Sequence, residues 1–135
     1  MSQPVFLTAR WRYLAMVNYE IDPAVLKPYV PSGTEIDFFD GRTFVSLVGF
    51  LFEETKVKGW SIPRHRNFEE LNLRFYIRRE ANGELRRGVA FIKEIVPRFA
   101  VTAVARWIYG ENYVTQAMRH AIDIDDERAS AIYEW

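Results

Sequence analysis

The sequence predicts a mainly β domain with a minor α component, either a β-barrel or a bent antiparallel sheet packed by one helix. Three observations carry that expectation. Phe68 to Glu80 alternates cleanly, with Leu71, Leu73, Phe75 and Ile77 on one side and Glu70, Asn72, Arg74, Tyr76 and Arg78 on the other. Asp40-Gly41 and Asn82-Gly83 sit between β-rich runs, where such dipeptides make tight hairpin turns. Arg42 to Phe52 is apolar on both faces, Phe44, Val48, Phe50 and Phe52 against Val45, Leu47 and Leu51, as expected of a central or barrel strand.

The remaining elements follow in chain order. Phe6 to Tyr19 is β-rich, with Leu7, Ala9, Trp11, Tyr13, Ala15, Val17 and Tyr19 along one face. Asp22-Pro23 predicts a helix start, with an N-cap carboxylate followed by proline in the first turn. Pro28 and Pro31 keep that helix short. Thr34 to Phe39 pairs as a hairpin with Arg42 to Phe52, and Glu53 to Asn67 is a loop or ragged hairpin. Leu85 to Ile95 is a strand in which Arg87, Val89, Phe91, Lys93 and Ile95 share a face. Pro97 opens a helix reaching about Tyr109, with Val101, Val104, Ala105 and Ile108 as its apolar stripe and Gly110 at its end. Tyr113 to Ile124 is ambiguous, and Ala129 to Trp135 reads as a last strand.

Composition narrows the function. Lys+Arg and Asp+Glu balance at 18 each, so no long-range field attracts nucleic acid or anionic membranes. With no cysteine, disulfides, thiol catalysis and cysteine-ligated zinc are excluded. His65 and His120 lie far apart, and Asp123, Asp125 and Asp126 lack the glycine and spacing of a calcium loop. There is no Gly-rich phosphate loop and no Gly-x-Ser-x-Gly elbow. No signal-peptide pattern and no apolar run long enough to cross a bilayer is present, so the expectation is a cytoplasmic protein. Residues 1–135 are read as a single domain, large enough for a real core at 49% hydrophobic content.

Lys93 is the candidate reactive group. Apolar neighbours disfavour an ammonium and lower a lysine pKa, which makes the amine a usable nucleophile. The plainer reading is a lysine that lays its stem on apolar surface and keeps its head in water. Arg12 is either a carboxylate clamp or half of an ordinary ion pair. Glu70, Asn72 and Arg74 share a face, which is either a polar cavity lining or a solvated exterior.

Two segments resemble a known enzyme family. Arg12 to Val30, with its Tyr19-Glu20-Ile21-Asp22 turn and Pro31 exit, is similar to the opening of acetoacetate decarboxylase. Ala90-Phe91-Ile92-Lys93-Glu94-Ile95 is similar to the strand carrying that enzyme's Schiff-base lysine. A broader resemblance is to the YqjF-like family of unknown function, grouped with the acetoacetate decarboxylase-like folds. It rests on Asp40 to Val48, Glu70 to Arg74, Val96-Pro97-Arg98, Glu111-Asn112-Tyr113 and Met118-Arg119-His120.

The resemblance implies a cone-shaped antiparallel barrel with a central cavity, in a chain that continues past Trp135. Strand edges left open by an incomplete barrel imply a homo-oligomer. It further implies a pocket for a small organic acid or carbonyl compound, with Arg12, Asn72 and Arg74 holding the acid and Lys93 and Glu70 in catalytic positions, and it needs no cofactor. Lys93 would condense with a ketone in a lyase or decarboxylase step. Glu94 stands where the decarboxylase has a second lysine. The alternative is a non-catalytic binding module, or an oligomerising structural protein, on the same scaffold.

Overall fold

The computed structural model describes residues 5, 7–61, 67–97 and 113–135. Nine strands and a short helix occur in it: β1 (Leu7–Ile21), α1 (Pro23–Leu26), β2 (Glu35–Ile36), β3 (Thr43–Val57), β4 (Trp60–Ser61), β5 (Phe68–Ala81), β6 (Glu84–Val96), β7 (Tyr113–Thr115), β8 (Arg119–Ile124) and β9 (Ala129–Glu134). The main sheet is seven-stranded in the order β1-β3-β5-β6-β7, with β2 added to β5 and β4 to β3. Neighbours are antiparallel except β6 and β7.

Among the described residues the sheet does not close into the expected barrel. The sheet is open, with β1 at one edge and β7 at the other, and β8 and β9 form a separate two-stranded sheet. Closure requires β1 to bond to the opposite edge, made by β7 and by the outer side of β6 before Glu94, and no such pairing occurs among the described residues. The helix expected from Pro97 to Tyr109 falls, beyond Pro97, outside the described residues.

Tight turns explain the hairpins. Asp40-Gly41, Lys58-Gly59 and Asn82-Gly83 each have positive φ at both residues, the geometry whose twist matches paired strands. Lys58-Gly59 extends β3 through Val57 into β4, where the sequence indicates a loop or ragged hairpin. The hairpin expected across Asp40-Gly41 reduces to a single bridge, Phe39 to Arg42. The flanks of β3 are already taken by β1 and β5, so β2 docks on β5 opposite Ile77 and Arg78 instead.

Helix α1 starts as its residues dictate. The Asp22 side chain accepts a hydrogen bond from the Ala24 N–H at 2.8 Å, and Pro23 occupies the first turn. It plugs Leu26 against Val45, Phe75 and Ala90. The opposite face packs Val48, Phe50, Phe52, Phe68 and Val96, with the Trp11 ring 5.1 Å from that of Phe50. Both faces of β3 are therefore buried, as its two-sided apolar pattern requires. Strand β1 departs from simple alternation. Register shifts between Thr8 and Arg10 and between Arg12 and Ala15, with Tyr13 at φ 56, break its apolar face, and Trp11, Val17 and Tyr19 are exposed.

Candidate functional site

Register decides which residues meet. Phe50 pairs with Glu70, Val48 with Asn72 and Ser46 with Arg74, while Asn72 pairs with Glu94 across to β6. Cross-strand partners share a face, so these side chains lie on one side of the sheet, opposite the face covered by α1. Between Leu73↔Lys93 and Arg74↔Phe91 the β6 strand holds an extra residue, a bulge at Ile92. Every side chain after it changes face. Val89 and Phe91 stay with Arg74, whereas Lys93 goes to the α1 face beside Leu73 and is exposed there.

The predicted site residues are thus divided. Glu70, Asn72 and Arg74 come together on one face. Lys93 and Arg12 are on the other, with Arg12 paired to Leu51 in register and its guanidinium 3.2 Å from Glu53 and 4.8 Å from the Tyr13 ring. Lys93 does not sit among Val89 and Phe91 because the bulge moves those two away. No Gly, Pro or charge marks that bulge in Phe91-Ile92, and period-2 counting passes through it unchanged.

Glu70, Asn72 and Glu94 are each 3% exposed, so this face is not a solvated exterior. Asn72 Nδ2 donates to Glu70 Oε1 at 3.3 Å, and Glu94 and Tyr113 also bond the Glu70 carboxyl. Burial first, and the Glu94 charge second, push Glu70 up to about 8. The pair therefore holds a proton at neutral pH, as two carboxylates sharing a low-dielectric site must. Reading the sequence misses Glu94 and Tyr113 as members of the site. Glu94 stands out there only as a replacement for lysine.

Arg74 lies one step further along the same face. Its Nη2 approaches Met16 Sδ at 3.8 Å, and Nε is buried without a hydrogen-bond acceptor. Among the described residues no carboxylate forms a salt bridge with Arg74, while the arginines that do form ion pairs lie at the surface. Beside it, Ser46 Oγ donates to Asn18 Oδ1 and lies 2.7 Å from Tyr76 Oη. Tyr76 Oη also meets Met16 Sδ at 4.0 Å. Of these groups, Asn18 and Tyr76 line a hollow of about 370 Å³ together with Asp37, Phe38, Phe39, Phe44 and Arg87. The Arg87 guanidinium is occupied by Asp37 at 3.2 Å.

The α1 face carries a second polar group. The β8–β9 hairpin lies on it, with His120 Nδ1 2.7 Å from Glu69 Oε1 and Tyr133 Oη donating to the Tyr13 carbonyl at 2.6 Å. Burial, then the Glu69 charge, raises the Tyr133 phenol above its ordinary 10.0. Gly49 makes this contact feasible, because a Cβ there would fall 2.8 Å from Tyr133 Cδ2.

An open, two-faced antiparallel sheet with a buried carboxyl pair and an unneutralised arginine on one face is the class of protein these features define. A family model described as "Uncharacterized conserved protein", DUF2071, matches residues 8–134, and the chain belongs to that family. It is 31% identical over 68 residues to the "Uncharacterized protein YqjF" of Bacillus subtilis (strain 168). That match covers 50% of this chain and 28% of the relative.

Proposed function

We propose that this chain provides a binding face for a small organic acid, without lysine chemistry, on a scaffold related to the acetoacetate decarboxylases. The observation that carries the reading is Arg74, a half-buried guanidinium with no carboxylate partner among the described residues, on the same face of β5 as Tyr76, which lines an aromatic-walled hollow of about 370 Å³. A guanidinium fork suits a carboxylate, and hollows of this order hold small ligands. The acid group would bind Arg74 and Asn72, and the organic part would stack on Phe44 and Tyr76. The protonated Glu70 supports this, since a shared proton removes one negative charge from the face that receives the ligand.

An imine mechanism would need Lys93 beside Glu70, and the bulge at Ile92 separates them. The non-catalytic alternative is therefore the better supported. Calorimetric titration with benzoate and with its uncharged analogue benzamide tests it. Benzoate is expected to bind and benzamide to bind about tenfold more weakly or not at all. Arg74→Gln should remove that preference, and Phe39→Ala, at an exposed ring, should weaken both ligands. Equal binding of the two ligands, or a preference that survives Arg74→Gln, refutes the reading.

A further inference from the structure

We propose that Met16 is an oxidation site whose sulfoxide oxygen is held by Arg74 and Tyr76, so that a peroxide closes the acid-binding face. Met16 and Arg74 lie two strands apart on one side of the sheet. Met16 pairs with Val48 and Val48 with Asn72, while in the neighbouring row Ser46 links Asn18 to Arg74. Two strand spacings are roughly 10 Å, a gap that two long unbranched side chains close. The residues between them, Ser46 and Val48, are short and both 0% exposed.

The contact that results is poorly matched. Arg74 Nη2 stands 3.8 Å from Met16 Sδ, and Tyr76 Oη stands 4.0 Å from the same sulfur. A thioether is a weak acceptor, and Arg74 has no carboxylate partner among the described residues. The sulfur is therefore a soft, nearly apolar atom placed between two good donors. An oxygen bonded to it and turned toward them comes within hydrogen-bond reach of both.

Met16 is 46% exposed, so a peroxide reaches it, whereas Met118 is half-buried. The sulfur lone pair attacks one peroxide oxygen and the O–O bond breaks. The departing hydroxide takes the proton of the transferred oxygen and leaves as water. Sulfur loses two electrons and the peroxide gains them. The product is polar where the thioether was not, and sulfoxide reductases reverse the step. Its oxygen makes a charge-assisted hydrogen bond with Arg74 and takes that guanidinium from an incoming carboxylate. This last consequence rests on the acid-binding reading; the oxidation site itself does not.

The test treats the whole chain with hydrogen peroxide. Peptide mass mapping follows the methionines, and the guanidinium resonances of the isotope-labelled protein follow Arg74. Met16 should gain one oxygen before Met118, and the Arg74 N–H resonances should move downfield with it, with no ligand present. Methionine sulfoxide reductase should return them. Met16→Leu, which conserves volume and forms no sulfoxide, should show no such shift under peroxide. Met16→Gln, which carries an amide oxygen, should show it without peroxide. Benzoate affinity should fall at least about tenfold on oxidation. Oxidation of Met118 ahead of Met16, Arg74 resonances unmoved by the sulfoxide, or a benzoate affinity unchanged by it overturns the proposal. A chain that binds no benzoate before oxidation refutes the acid-binding reading instead, and the Arg74 resonances still decide this one.

Discussion

Replacing Glu70 by glutamine tests the carboxyl pair through its pH dependence. The folded chain keeps the Glu70 proton up to about 8, whereas the unfolded chain releases it near 4.5. Between those values the folded state binds more protons, so stability falls as pH rises through the window. At about 1.4 kcal/mol per pH unit, Glu70 contributes a loss of up to roughly 5 kcal/mol between the two limits. Urea unfolding at pH 5.5 and pH 8.5 reads it directly. The native chain should have the lower midpoint at pH 8.5. Glu70→Gln, which keeps the shape and a hydrogen bond without the charge, should flatten that difference and be the more stable protein at pH 8.5. A native chain that gains stability across the window, or a Glu70→Gln variant with the same slope as the native one, would refute the argument that Glu70 is buried beside Glu94.

Other consequences concern the hairpin and its docking. Gly49→Ala pushes a methyl against the Tyr133 ring at 2.8 Å and should cost about 1–3 kcal/mol, measured by thermal unfolding. Pairing it with Tyr133→Ala should make the two effects less than additive. His120→Ala removes the partner of Glu69, a carboxylate 9% exposed, and should cost about 1–3 kcal/mol by urea unfolding at pH 6. Leu26→Ala empties the plug between α1 and the sheet and should cost about 2–5 kcal/mol, read from the same unfolding curves.

Much of the fold is legible because the determining signals are local. The Asp22-Pro23 helix start, the Asn82-Gly83 turn, the alternation of β5 and the two-sided apolar pattern of β3 each depend on residues close in sequence, and each is observed. What the sequence hides depends on distant partners. Whether β2 docks on β3 or β5 is decided by which flanks β1 has already occupied, and whether the sheet closes is decided by its far edges. Lys58-Gly59 is a poor turn signal because lysine is an unusual occupant of positive φ, unlike Asn82 or Asp40. The site is legible by half. Period 2 groups Glu70, Asn72 and Arg74 correctly, since β5 is regular through them. It misplaces Lys93 by a single extra residue in β6, which reverses the face of everything beyond it. Glu94 is hidden for the same reason. Ser46, Asn18 and Tyr76 come from separate strands, and only their register shows that their side chains converge.

The most direct test of a ligand face at Arg74 is amide and guanidinium chemical-shift mapping of the isotope-labelled chain titrated with benzoate. The account predicts saturable shifts at Asn18, Phe44, Ser46, Arg74 Nε–H and Tyr76, with Lys93 unaffected. Shifts centred on Lys93 and Leu73, or no saturable shifts at Arg74, would contradict it.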